Sequence, residues 1–92
     1  MKNKKTLSTN DIIWLVSKIT YILGSSLSTT QDELYCWDMW NNNNDYNGEV
    51  ILNTKTREIE IIDCFIDLKT NYALEGIAAI CGLKVENYYT SK

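Results

Sequence analysis

Ile12, Leu15, Val16, Ile19, Ile22 and Leu23 recur three and four residues apart, with Trp14, Ser17, Lys18, Thr20 and Tyr21 on their flanks. That period predicts an amphipathic helix over about 10–24 whose wide apolar stripe faces a core. Ser8, Thr9 and Asn10 are all suited to cap it, and Asp11 complements its positive end. Gly24 is a natural stop. A second helical period, Tyr72, Leu74, Ile77, Ala78, Ile80 and Cys81, predicts a helix over about 71–81 ended by Gly82.

Between the helices the period changes to two. In residues 33–40, Tyr35, Trp37 and Met39 alternate with Cys36, Asp38 and Trp40, which favours a strand; Thr30 and Glu33 could instead open a short helix as a capping box. Asn41 to Gly48 reads as a polar loop. Glu49–Leu52 and Arg57–Leu68 read as two strands of a hairpin joined through Asn53–Thr56. After Ile61 the apolar phase slips by one residue, to Ile62, Cys64, Ile66 and Leu68, as at a β-bulge or strand break. Ser25–Gln31 is a polar linker, and 84–92 a short tail, helical or extended.

The order α-β-β-β-α implies a small single α+β domain, a three-stranded antiparallel sheet with two helices packed on one face. Residues 1–8 are expected to be a flexible basic terminus and 9–92 the domain. At 92 residues there is room for one core, and 45% hydrophobic content is too high for a disordered acidic tail. Cys36, Cys64 and Cys81 are odd in number and widely spaced, which favours reduced thiols in a cytoplasmic protein. Lys18 and Asp11 interrupt the first apolar stretch, so no membrane span or signal peptide is expected.

Charge changes the picture more than composition does. Between Gln31 and Leu68 stand Asp32, Glu33, Asp38, Asp45, Glu49, Glu58, Glu60, Asp63 and Asp67 against Lys55 and Arg57, a net −7; the remainder carries +4 and the whole −3. Such polarity describes what a surface attracts.

Catalytic chemistry finds little support. There is no histidine, the commonest neutral-pH base and zinc ligand. The cysteines sit in apolar patterns, where burial favours the inert thiol. The pairs Glu58/Glu60 and Asp63/Asp67 could hold Mg²⁺ or exchange protons, but read more simply as solvated charge. Asn43-x-Asp45-x-Asn47-Gly48 matches the first half of a calcium loop, yet its twelfth position is Thr54 where a bidentate carboxylate is needed. No cofactor and no metal site are expected.

Leu74-Glu-Gly-Ile77-Ala78-Ala-Ile-Cys-Gly82-Leu83-Lys-Val-Glu-Asn87-Tyr88-Tyr89 resembles the core of a bacterial helix-turn-helix, with its Ile-Ala pair, turn glycine and following apolar residue. The resemblance covers about 16 residues and implies a small DNA-binding regulator using residues 73–92, with a recognition helix bearing Lys84, Glu86 and Asn87. A helix stopped by glycine, with Leu83 folding back on it, accounts for the same letters.

The expectation that absorbs most of the sequence is a non-enzymatic, acidic protein-binding module. Its expected contact residues are Asp38, Trp40, Asp45, Tyr46, Glu49, Glu58, Glu60 and Asp63, interleaving rings that fill pockets with charges that orient a basic partner. The expected partner is a larger protein with a basic surface, of the nucleic-acid-handling kind, which the module would inhibit or modulate, as phage anti-defence and immunity proteins do. A homodimer is a further possibility; neither nucleic acid nor membrane is expected as a partner.

Overall fold

The computed structural model describes residues 7–40, 43 and 46–89, the side chain of Tyr46 apart. Helix α1 spans Thr9–Leu23. Its N-cap is Ser8, whose hydroxyl accepts from the Asp11 N–H at 3.0 Å while the Asp11 carboxylate accepts from the Ser8 N–H at 3.3 Å. This reciprocal box satisfies two donors that the first turn would otherwise leave unpaired. Leu7, expected in the flexible terminus, is buried, and Ile12 packs against the same core. These are the positions of a hydrophobic staple. Residues 1–6 of that expected terminus lie outside the described residues. Gly24 ends the helix in the left-handed conformation, φ 66°, donating its N–H to the Thr20 carbonyl.

Five strands follow: β1 (Thr29–Gln31), β2 (Leu34–Trp40), β3 (Tyr46–Asn53), β4 (Glu58–Ile62) and, after helix α2 (Leu68–Ile80), β5 (Lys84–Tyr88). They lie side by side in chain order. The first four pair antiparallel, and β5 pairs parallel with β4. A parallel neighbour requires a crossover, and α2 supplies it. The small α+β domain is as expected, but its sheet is five-stranded and mixed where three antiparallel strands were expected.

Both added strands escaped the pattern for physical reasons. Thr29, Thr30 and Gln31 are all exposed, so β1 has no buried face to alternate. β5 is five residues long and brings only Val85 towards the core as an apolar side chain, too little to set a period. Within residues 33–40, Leu34–Trp40 forms a strand and Glu33 belongs to the turn before it. The loop expected to run to Gly48 ends earlier, because Tyr46, Asn47 and Gly48 already belong to β3.

The strand expected to run to Leu68 stops at Ile62. Asp63 turns into the left-handed region (φ 52°), and Asp67 accepts from the Thr70 N–H at 2.8 Å to cap α2, so that helix starts three residues before the expected 71. The slip in phase was a strand end. Gly48 sits where β3 passes this turn: at φ 98°, a Cβ there would fall on the carbonyl oxygens of Ile62 and Asp63.

The core lies between one face of the sheet and the two helices. Trp37, Val50, Leu52, Ile59 and Ile61 meet Leu15 and Ile19 of α1 and Leu74 and Ala78 of α2, all essentially inaccessible. The indole Nε1–H of Trp37 donates to Thr20 Oγ1 at 3.0 Å, tying α1 to β2. Arg57, at φ 64° in the β3–β4 turn, donates from Nη2 to the Cys81 carbonyl at 3.0 Å, satisfying an acceptor at the C-terminal end of α2. Both helices lie on one face, so no helix among the described residues covers the other.

Candidate functional site

Strand register determines what the uncovered face carries. Because side chains alternate, the residues between the core positions share the opposite side. Three rows run across β2, β3, β4 and β5 in order: Leu34, Asn53, Glu58, Lys84; then Cys36, Ile51, Glu60, Glu86; then Asp38, Glu49, Ile62, Tyr88. Asp38, Glu49, Glu58, Glu60 and Glu86 therefore stand on one surface, and Lys84 is the single cation in these three rows, a net −4 for them. None of these residues is fully buried. Ile51, Ile62 and Cys36 form an apolar strip among the acids, so the face offers both charge and area to a partner.

Local hydrogen bonds hold several of these groups in place. Asn53 donates from Nδ2 to Glu60 Oε2 at 3.2 Å, and the Tyr88 hydroxyl donates to Glu58 Oε1 at 3.2 Å. Partial burial, then the neighbouring Glu58 charge, push the Glu60 carboxyl above its ordinary range, against the opposing pull of the Asn53 bond. The Tyr88 phenol is raised too, by desolvation and then by Glu58, so it remains a donor at neutral pH. A carboxylate kept close to other carboxylates is a group that gains when a cation approaches.

Cys36, Asp38 and Glu49 form the tightest cluster, their donor atoms within 4.8 Å of one another. These are the residues that could hold a metal among the described ones. The Cys36 thiol donates to Glu49 Oε1 at 3.0 Å. Burial and then the Glu49 bond and charge push that thiol up to about 12. It is a neutral hydrogen-bond donor, and becoming a thiolate ligand would require a proton loss that its surroundings oppose. Burial raises Cys64 and Cys81 as well, and all three cysteines are free. Proton-holding thiols of this kind are poor nucleophiles.

Of the eight expected contact residues, Asp38, Glu49, Glu58 and Glu60 come together on this face. Trp40 lies past a register shift in β2 and is 57% exposed at the end of the strand, paired with Tyr46. Asp63 is exposed in the turn after β4, its N–H donating to the Tyr88 carbonyl. Asp45 lies outside the described residues, as does the side chain of Tyr46. Among the other acids of the middle segment, Asp32 and Glu33 form the β1–β2 turn, and Asp67 is spent on the α2 cap, its carboxyl lowered by the Thr70 bond. Trp37 is core and no part of a contact surface.

Sequence reasoning missed Glu86 and Tyr88, which β5 adds beside Glu60 and Ile62. The alternation Lys84, Glu86, Tyr88 against Val85, Asn87 was the available signal, and counting charge by chain segment concealed it. The same strand corrects the helix-turn-helix expectation: residues 84–88, where the recognition helix would lie, are β5. Leu83 does fold back, its N–H donating to the Ala78 carbonyl at 2.8 Å.

No helix among the described residues is long and apolar enough to cross a membrane. No protein-family model, curated protein or solved structure matches the chain.

Proposed function

We propose that the chain is a non-enzymatic binding module whose uncovered sheet face docks on a basic surface of a larger protein. One observation carries this reading: register gathers Asp38, Glu49, Glu58, Glu60 and Glu86 on a face that no helix covers. Five acids at strand spacing raise one another's energy, an arrangement a folding domain gains nothing from unless a cation approaches. Basic surfaces of the matching kind are common on proteins that handle nucleic acid, whose grooves attract phosphate. An acidic sheet seated there competes with nucleic acid for the same charges, so the module acts as an inhibitor or modulator.

Paired capture tests this. The wild-type chain and a variant carrying Asp38→Lys, Glu58→Lys and Glu60→Lys serve as baits in extract of the source organism. The wild type is expected to retain a basic protein that added DNA displaces, and the variant to lose it while its circular dichroism stays native. Equal retention by both baits, or retention that DNA leaves untouched, would refute the reading.

A further inference from the structure

The β5 edge of the sheet offers a second surface, bordering the acidic face. Among the described residues, β5 has β4 on one side and no strand on the other. The Lys84 N–H donates to the Arg57 carbonyl at 3.2 Å, and the Tyr88 carbonyl accepts from the Asp63 N–H at 2.9 Å. In a parallel ladder alternate residues bond to the same neighbour, so Lys84, Glu86 and Tyr88 bond towards β4. Val85 and Asn87 therefore turn their N–H and C=O groups outward. A five-residue edge with one lysine is weakly defended against another strand.

We propose that a second copy of this chain occupies that edge, β5 pairing antiparallel with β5 about a two-fold axis at Val85. Val85 of each copy then exchanges both outward backbone hydrogen bonds with its counterpart. The flanking pair opposes Lys84 to the second copy's Glu86, and symmetry repeats it. Beyond these backbone bonds to β4, the side chains of Lys84 and Glu86 make no hydrogen bond or ion pair among the described residues. Sliding the register by two residues moves the two-fold to Glu86, setting two glutamates face to face, a destabilising arrangement. Charge and outward backbone groups thus select the same register.

The helix above the edge fits this arrangement. α2 packs on β4 and β5, with α1 beside it. With strands about 4.8 Å apart, the two-fold brings the two α2 axes roughly 10 Å apart, within helix-packing distance. The face that α2 turns away from the core carries Leu68, Tyr72, Gly76 and Ile80, four residues apart; the three large side chains are 64–72% exposed. Gly76 has open space beside it. A helix apolar on both sides is one that expects a neighbour on both sides. Joining the sheets makes ten strands whose acidic faces lie together, with one helical layer on the other side.

Sedimentation velocity on the full chain, from roughly 1 μM to roughly 1 mM, tests the interface. The wild type is expected to shift from monomer to dimer. K84E and E86K should each weaken the dimer about tenfold, and the double variant K84E/E86K should restore it by swapping the pair. V85P removes an outward N–H that β4 does not use, so it should stay folded and monomeric. D38K, on the acidic face away from the edge, should leave the dimer intact, which separates this proposal from the binding function. A wild type that stays monomeric throughout, or a charge swap that restores nothing, would overturn it.

Discussion

The indole of Trp37 and the hydroxyl of Thr20 make the one side-chain hydrogen bond that ties the first helix to the sheet, 3.0 Å between Nε1 and Oγ1 among the described residues. Trp37 is inaccessible, so its N–H has no water to fall back on. Thr20→Val keeps the shape and removes the acceptor. It is expected to cost about 1–3 kcal/mol in urea denaturation, and Thr20→Ser to cost less. Equal stability of Thr20→Val and wild type would mean the bond contributes nothing.

Gly48 carries a different constraint. Its φ of 98° and the carbonyls of Ile62 and Asp63 leave no place for a methyl group. Gly48→Ala should destabilise by at least about 2 kcal/mol, through both backbone strain and overpacking. Gly76→Ala, in an α-helix with open space beside it, should be neutral or stabilising, which makes it the control.

These two positions show what the sequence could and could not disclose. Helix α1 was legible because six apolar residues repeat and Ser8, Asp11 and Gly24 mark its ends. β3 and β4 were legible because Val50 and Leu52, Ile59 and Ile61 alternate. β1 and β5 were not, since an edge strand with one apolar residue or none leaves no period; only pairing reveals it. Four of the five acids on the candidate face followed from alternation within strands: Asp38, Glu49, Glu58 and Glu60. Glu86 needed the crossover, which joins residues 26 apart in the chain to one row. Asp67 looked like surface charge because a helix cap and a strand-face acid carry the same letter.

The Cys36 thiol, at about 12, should be nearly inert to alkylation at mildly alkaline pH. Against an ordinary thiol its thiolate fraction falls about a thousandfold. Site-resolved mass spectrometry after iodoacetamide treatment is expected to show slow labelling of Cys36 in the folded protein, rapid labelling in urea, and faster labelling in folded Glu49→Gln. Rapid native labelling would break the assignment of Glu49 as its acceptor.

Glu60 gives stability a pH dependence with a definite sign. Its folded pKa lies above the ordinary 4.5, so the protonated form is favoured by folding. That contribution is complete below the unfolded value and is lost as pH rises through the folded one. Glu60→Gln fixes a neutral side chain and should raise the thermal midpoint at about pH 7, with the difference narrowing towards about pH 4.5. Asp67 works in the opposite sense, its lowered carboxyl contributing above 3.8 and failing as pH falls through its folded value. Measurements above about pH 4.5 leave most of that contribution in place. A Glu60→Gln gain that is independent of pH would contradict the burial of its charge.

The acidic face is tested most directly by comparing the wild-type chain with the Asp38→Lys, Glu58→Lys, Glu60→Lys variant for retention of a basic, DNA-displaceable protein from extract of the source organism. The expected result is retention by the wild type alone, with both chains unfolding at nearly the same temperature. Retention of the same protein by the reversed face would contradict a role for these carboxylates in binding.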